Sequence, residues 1–334
     1  MVAATCHAGN ETCVGVHASP SILKKTRMSP IFPVRHRLLF DRMIPILNHN
    51  RETYLAAIAE GFPDLVVDTL EYLSEGKDSV AWVVNHHLLF RFPKQERAEQ
   101  KLLMELRLLP ALAPTLPLTI PQFTSISRTP TASYPHAFAG YDLLDGTPLH
   151  AYTPLIWDAT WWQPFIGDFV TALHRFPVER ATQLGVPTYT PRTWRAHYQA
   201  LYAAVRDKVY PLVTPNQRVA IGRYFDAFVD DPRHFAFVPV LVHGDLHSRH
   251  FLLDVGMRRV TGILDFGECR IGDPAIDVRD AWLPYYGGVV DQTWQERRDF
   301  YYRLPSLTQV ALRDNYGADW IEEGLFEIGR LWPA

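Results

Sequence analysis

Cysteine, long apolar runs and excess positive charge are all scarce in this sequence. Three thiols occur in 334 residues, Cys6, Cys13 and Cys269. An odd number of scattered cysteines makes neither a disulfide framework nor a paired zinc site, and it suits a reducing cytoplasm. No stretch of about 18 apolar residues runs uninterrupted, so no membrane-spanning helix is expected. The N-terminus lacks the basic-then-apolar pattern of a secretory signal. Thirty-three Lys and Arg stand against 36 Asp and Glu, a net charge of −3, which gives no basic footprint for nucleic acid. Internal repeats and low-complexity tracts are absent too. What is present is 47% hydrophobic residues with 13% aromatics, the composition of a folded globule large enough for one big or two medium domains.

The chemistry is concentrated in Val242-His243-Gly244-Asp245-Leu246-His247-Ser248-Arg249-His250 and Gly262-Ile263-Leu264-Asp265-Phe266-Gly267-Glu268. Residues 237–242 read as a short buried strand, and 251–253 and 260–264 as two more, joined by a hairpin for which Gly256 is a suitable turn residue. At ~3.3 Å per residue the outward and return legs of that hairpin nearly match. Asp245, His250 and Asp265 are therefore expected at one open end. A carboxylate beside a metal-competent histidine and a second carboxylate can hold a divalent cation and a reacting group.

His-Gly-Asp-Leu-His, a liganding residue five after the Asp, and then Asp-Phe-Gly resemble the catalytic segment of aminoglycoside phosphotransferases, a family similar to protein kinases in fold. The resemblance covers about residues 60–330. It implies an α+β, two-lobed protein-kinase-like fold, with a small N-terminal antiparallel-sheet lobe and a larger, mainly helical C-terminal lobe. It further implies that Asp245 is catalytic and faces the acceptor hydroxyl, that His250 and Asp265 bind Mg²⁺, and that His243 and Asp277 support the loop. The stretch Gly272-Asp273-Pro274-Ala275-Ile276-Asp277 resembles the family's helix start after the metal Asp, with Asp273 as N-cap. Most relatives carry Asn where this chain has His250, and His there looks more like the 2″-aminoglycoside and macrolide kinase branches. An imidazole ligand also suits Mn²⁺.

In chain order, residues 1–30 read as a disordered tail, its Lys24-Lys25-Thr26-Arg27 run solvated, with Met28 an alternative start that would leave 1–27 outside the native protein. Residues 31–145 read as a nucleotide-binding lobe with a leading helix at 51–61, and 146–334 as the helical catalytic and substrate lobe. In the first lobe, 65–67, 69–73, 80–84 and 88–93 are strand-like. The polar loop 74–79, with Ser74, Gly76 and Ser79, can present backbone N–H groups to phosphate, with Gly76 free to turn. Arg91 stands where the family usually has Lys, and Lys94 is a substitute. The helix 96–109 brings Glu105 fourteen residues later as the partner of Arg91, with Glu99 the alternative. Residues 138–149 resemble the interlobe hinge. Backbone near Phe138 and Gly140 is expected to meet the base, which leaves ATP and GTP both open.

Beyond 150 the pattern is helical. Phe165, Ile166, Phe169, Val170 and Leu173 form one apolar stripe, and Trp194, His197, Tyr198, Leu201, Tyr202 and Val205 another, with Thr193 as N-cap. Thr214-Pro215 opens a third helix, and residues 320–331 a last one. His174 and His197 read as core rather than ligands, as do Trp282, Tyr285, Tyr286, Trp294, Tyr301 and Tyr302. His247 reads as loop architecture ahead of metal ligation, and Glu268 as either a neighbour of metal-bound water or a solvated carboxylate.

Three functions stay open on these residues. The first is a small-molecule O-phosphotransferase, moving the γ-phosphoryl group of ATP or GTP to a hydroxyl, with an aminoglycoside-type antibiotic as leading acceptor and a macrolide or amino alcohol behind it. The second is a metal-dependent hydrolase built on His243, Asp245, His247, His250 and Asp265, which leaves Arg91 and Glu105 unexplained. The third is a nucleotide-binding pseudokinase. Expected partners are a nucleoside triphosphate and a small acceptor, with neither nucleic acid nor membrane. Glu296, Asp299, Glu322 and Glu323 are the acidic candidates for a polyammonium acceptor.

Overall fold

The computed structural model describes residues 50–313 and 318–333; the tail expected at 1–30, the start of the next segment up to 49 and the alternative start at Met28 lie outside them. Helix α1 (Arg51–Gly61) begins at Asn50, whose side chain accepts the Glu52 N–H, and its buried Tyr54, Ala57 and Ile58 face the sheet core. Strands β1 (Leu70–Glu75), β2 (Ser79–Val84), β3 (Leu88–Pro93), β4 (Phe123–Ser127) and β5 (Phe138–Asp142) pair antiparallel in the order β1-β2-β3-β5-β4. Residues 65–67, expected as strand, are instead an extended link. Asn85, in the left-handed region at φ 50, takes the N–H groups of Asp68 and Thr69 with its side chain and so ends the ladder.

Helix α2 (Glu96–Leu112) runs between β3 and β4 and buries Leu102, Leu106, Leu108, Leu109 and Leu112. Strand β6 (Thr147–Pro148) follows β5, and then come α3 (Pro154–Trp157), α4 (Gln163–His174), α5 (Val178–Gln183), α6 (Pro191–Lys208) and α7 (Pro215–Val229). Thr190, not Thr193, caps α6. The two threonines form a reciprocal capping box because Pro191 takes the first helical position, and Thr214 with Gln217 repeats the device at α7.

The segment that holds His243–His250 and Asp265 spans β7 (Val240–Val242), β8 (Phe251–Asp254), β9 (Arg259–Ile263) and β10 (Arg270–Gly272). Helices α8 (Trp294–Ala311) and α9 (Ala318–Leu331) pack together at the end. The expected strand at 237–242 shrinks to three residues, with Val238 exposed. Strand β7 pairs with β10, not with the hairpin, so the strand entering the loop is tied to the strand leaving Asp265. Trp282, Trp294 and Tyr301 are core as expected, while Tyr285 and Tyr302 are exposed and His197 lies at the surface.

Candidate active site

The hairpin explains why His250 and Asp265 meet. Phe251 pairs with Ile263, and the Leu264 N–H donates to His250 O at 2.9 Å, so Asp265 follows immediately after the residue opposite His250. The return leg's extra residue, Thr261, is absorbed in a bulge, its hydroxyl donating to Asp145 O at 2.5 Å. The tip does not use Gly256 as the left-handed residue. Arg258 takes that place at φ 49, and Asp254 Oδ1 accepts the Met257 N–H.

Asp277 holds the loop. Its two oxygens accept the backbone N–H groups of His243 at 2.6 Å and Gly244 at 2.8 Å, and His174 Nε2 lies 3.2 Å from Oδ2. Burial pushes its carboxyl up, but the bond from His174 and its charge, with the nearby backbone donors, hold it below the usual range. Gly244 sits at φ +80, and a Cβ there would lie 2.6 Å from Glu268 O, so only glycine fits this turn. A further support was invisible in sequence: Asp273 and Arg297, both fully buried, pair at 2.6 Å, and Tyr301 OH donates to Asp273 at 2.7 Å.

Hydrogen bonds assign each histidine a different task. His243 Nε2 lies 3.1 Å from Leu264 O, a bond that requires the proton on Nε2, and its Nδ1 accepts from the Asp245 N–H at 3.4 Å. His247 Nδ1 accepts the Arg249 N–H at 3.2 Å, which leaves a neutral ring with its proton on Nε2, 3.6 Å from Asp245 Oδ2. His250 is the reverse. Its Nδ1 donates to Asp245 O at 2.8 Å, so the Nε2 lone pair faces Asp265 Oδ2, 3.6 Å away. Ligand atoms of Asp245, His247 and His250 lie within 4.8 Å of one another. Yet only His250 offers a lone pair without breaking a backbone bond, and it offers it toward Asp265. The site therefore lacks the converging imidazoles of a histidine-rich hydrolase.

Asp245 and Asp265 are each about half exposed, at 46% and 48%. Burial would raise both carboxyls. The His247 bond and the neighbouring histidines outweigh it at Asp245, and Arg91 with His250 does so at Asp265, so both stay ionised. Asp265 also has φ +62, a left-handed conformation that aims its side chain back into the site.

From the sheet, Arg91 Nη1 donates to Glu105 Oε2 at 2.7 Å, and Nη2 lies 3.6 Å from Asp265 Oδ1. The fourteen-residue spacing thus pairs the two expected partners. Glu99 is engaged elsewhere, with the Ala137 N–H and His136. Lys94 reaches Glu75 and Gly76 O in the β1–β2 turn instead of the site. Burial lowers the Arg91 pKa in itself, but Glu105 and Asp265 reverse it and hold the guanidinium charged. Glu105 Oε1 is buried without a hydrogen-bond partner among the described residues.

The remaining nucleotide-side residues fall differently from expectation. Ser74 and Ser79 flank the β1–β2 turn, but the Gly76 N–H is already used, donating to Ser79 O at 2.9 Å. Gly76 is not left-handed, and a Cβ there would meet only Ser79 O at 3.9 Å, so the turn does not require glycine. Phe138 and Gly140 lie in β5, between β3 and β4; Gly140 has ladder partners on both sides, Phe90 and Ser125, whereas Phe138 pairs only with Ser127 of β4. The Gly140 backbone is spent in the sheet, whereas the Phe138 backbone is paired on its β4 side alone, and the Phe138 ring stacks on Phe92 at 4.7 Å. Gly140 serves packing, since a Cβ would come within 2.8 Å of the Phe90 ring. Phe138 and Asp142, at the two ends of β5, each pair on one side only. Sequence reading also missed Lys101, which joins Asp78 at 2.6 Å and contacts Glu268. Its only signal was a position one helical turn before Glu105.

Comparison with known proteins decides the family. The family model described as phosphotransferase enzyme family matches residues 69–317. The chain belongs to that family. A relative, the uncharacterized protein YcbJ of Bacillus subtilis, is 31% identical over 112 residues; the match spans 34% of each chain, about a third of that relative's length. The GDP complex of wild-type aminoglycoside 2'-phosphotransferase-IIIa superposes with a TM-score of 0.74 at 28% identity, covering 84% of this chain and 98% of that one. Its GDP and kanamycin complex gives 0.72 at 28%, over 83% and 97%. Macrolide 2'-phosphotransferase MphH from Brachybacterium faecium shares the fold, at 0.64 and 22% identity, over 82% and 97%. The fold of this phosphotransferase family member is α+β and kinase-like, and no described helix is long and apolar enough to cross a membrane.

Proposed function

We propose that this chain transfers the γ-phosphoryl group of a nucleoside triphosphate to a hydroxyl of a small molecule. The observation that carries the reading is the link across the site: Arg91 bonds Glu105 and lies 3.6 Å from Asp265, whose other oxygen faces His250. The reading as a hydrolase built on the histidines leaves the Arg91–Glu105 pair without a role. Arg91 binds phosphate oxygens, kept charged and aimed by Glu105. Asp245 orients the acceptor hydroxyl and takes its proton as the bond to phosphorus forms. His247 and the backbone bonds of the loop hold Asp245 in place, and His243 and Asp277 hold the loop. Base contacts fall to the singly paired backbone at the ends of β5, Phe138 or Asp142 onward, rather than to Gly140.

The donor set fits a divalent cation: an ionised carboxylate, an imidazole with its lone pair free, and the unpartnered Glu105 Oε1 nearby to accept from bound water. Asp265 and His250 would hold Mg²⁺, or Mn²⁺, which supplies charge neutralisation on the phosphates. The nucleotide is supported by the related GDP complexes, and ATP and GTP are both co-substrate candidates.

An aminoglycoside-type antibiotic is the acceptor we infer first, supported by the kanamycin-bound relative. The acidic residues expected to receive its ammonium groups are partly engaged: Glu296 with His234 at 2.9 Å, and Asp299 with Gln295 and Arg298. A macrolide or amino alcohol is the second choice on that ground. Nucleotide consumption by purified protein, with ATP and GTP against aminoglycosides, macrolides and amino alcohols, tests the reading. Cation-dependent turnover stimulated by at least one hydroxylated compound is expected; cation-independent hydrolysis unaffected by any of them rejects it.

A further inference from the structure

Helix α2 carries Lys101 one turn before Glu105, so the two side chains leave the same face of the helix. Glu105 takes Arg91, whereas Lys101 reaches two carboxylates far apart in sequence. Its ammonium donates to Asp78 Oδ2 at 2.6 Å, in the turn between β1 and β2, and to Glu268, three residues after Asp265, in closer contact. Lys101 is 19% and Asp78 23% exposed, while Glu268, at 42%, keeps one end of the bridge open to solvent. Arg97 approaches Asp78 at 3.7 Å, and Arg270 approaches the second oxygen of Glu268 at 3.7 Å. The segment after Asp265 lies against α2: a Cβ on Gly267 would sit 3.2 Å from Glu105 Oε1, 3.4 Å from Asp265 Oδ1 and 3.7 Å from Lys101 Cδ.

The turn has other anchors, but they lead back into the sheet or the start of α2. Lys94 ties Glu75 and Gly76 O, the Lys94 N–H donates to Asp78 O, and Gln95 and Arg97 meet the Asp78 carboxylate. Among the described ion pairs, Lys101 alone bonds both the turn and the segment that carries Asp265. Without it, Asp78 would keep Arg97 and Glu268 would keep Arg270, with Lys77 in the turn acting on both at longer range, but the direct bond from α2 to both carboxylates would be lost.

We propose that Lys101 is a positioning residue that fixes how closely the β1–β2 turn covers the nucleotide phosphates held at Asp265, and so sets nucleotide affinity without touching the nucleotide. This rests on the phosphotransferase reading. Calorimetric binding of MgATP and MgGTP to wild type, Lys101→Met, Lys101→Arg and Asp78→Asn tests it, with thermal midpoints measured alongside. Lys101→Met is expected to weaken nucleotide binding roughly five- to tenfold, the size of one well-placed ion pair expressed in Kd. Lys101→Arg should restore most of the loss, because a guanidinium can span two carboxylates. Asp78→Asn should reproduce the defect, and adding it to Lys101→Met should weaken binding little further, as groups in one network do.

Unchanged nucleotide affinity in Lys101→Met, or additive losses in the double variant, overturns the proposal while leaving the phosphotransferase reading intact. Should Lys101→Met fail to fold, Asp78→Asn decides alone: a weakened Kd at an unchanged thermal midpoint supports the bridge, and a wild-type Kd removes it. A wild-type protein that binds neither MgATP nor MgGTP sinks the phosphotransferase reading and this one with it.

Discussion

On the sheet side of the site, Arg91 is held by side-chain charge: it bonds the fully buried Glu105 at 2.7 Å and lies 3.6 Å from Asp265. On the loop side, Asp245 is held by backbone. Asp277 fixes two N–H groups just before it, His243 takes its own N–H, and its carbonyl accepts from His250. The difference follows from what each residue sits on. Strand β3 spends its backbone in the ladder, so only a partner charge can aim the Arg91 guanidinium. The loop after β7 has no ladder, so its amides must find a buried carboxylate. Substitutions should therefore act locally on the sheet side and cooperatively on the loop side.

The largest expected effect is at Asp245, the proposed base. Asp245→Asn should cut transfer by ~10²–10⁴ while nucleotide affinity stays close to wild type, as expected for loss of a positioned base. Steady-state turnover beside nucleotide binding checks this, and a fully active variant would break the loop-side half of the comparison. Next comes the brace. Asp277→Ala strands two buried N–H donors and should cost about 2–4 kcal/mol, read from denaturant midpoints. A loss below about 1 kcal/mol would mean that the loop does not depend on that carboxylate.

On the sheet side, Arg91→Ala should raise the nucleotide KM by roughly 10–100-fold, the scale of one or two charge-assisted bonds, with Arg91→Lys recovering part of it. If Lys94→Ala proves damaging and Arg91→Ala silent, the strand has been read in the wrong register for function. The pH effect at His250 is one of stability. Burial holds its imidazole down, to about 4, against 6.5 for a free ring. A histidine depressed in the folded state lets the unfolded chain bind the proton first. Stability should therefore fall as pH drops from about 6.5 toward about 4 and level off below, by roughly 3 kcal/mol. His250→Asn should flatten that limb in thermal midpoints taken across the range; a parallel fall in both proteins would assign the loss to other groups. Least is Gly140→Ala, which pushes a methyl into the Phe90 ring and should cost about 1–3 kcal/mol without altering nucleotide KM beyond that loss.

Much of this was readable because it is local. The loop motif, the hairpin after it, the Thr214-Pro215 cap and the fourteen-residue step from Arg91 to Glu105 are set by neighbours along the chain or by one helix and one strand of fixed rise. Even the one-residue mismatch in the hairpin legs was visible, although not that Thr261 would take it up as a bulge. The errors share another cause. Residues 65–67 are apolar enough for a strand, but Asn85 captures the amides that would have extended the ladder. Thr193 is a good cap residue, yet Pro191 moves the start to Thr190. Gly76 and Gly140 are permissive residues whose need depends on what approaches them: nothing in the first case, Phe90 in the second.

What the sequence alone determined is therefore the chemistry and its local geometry: which carboxylates and imidazoles lie at one end of a hairpin, and which cation on a strand pairs with which helix carboxylate. Tertiary structure decided the rest. The tautomer of each histidine follows from which backbone group its other nitrogen meets, and so selects His250 over His243 and His247 as the lone pair facing Asp265. The place of β5 between two strands pairs the Gly140 backbone on both sides and leaves Phe138 paired on one. The bridges Lys101–Glu268 and Asp273–Arg297 join residues 167 and 24 positions apart, and no periodicity records them. A side chain's partner across the fold is fixed only when packing has brought the two elements together, which is why those contacts had to be seen.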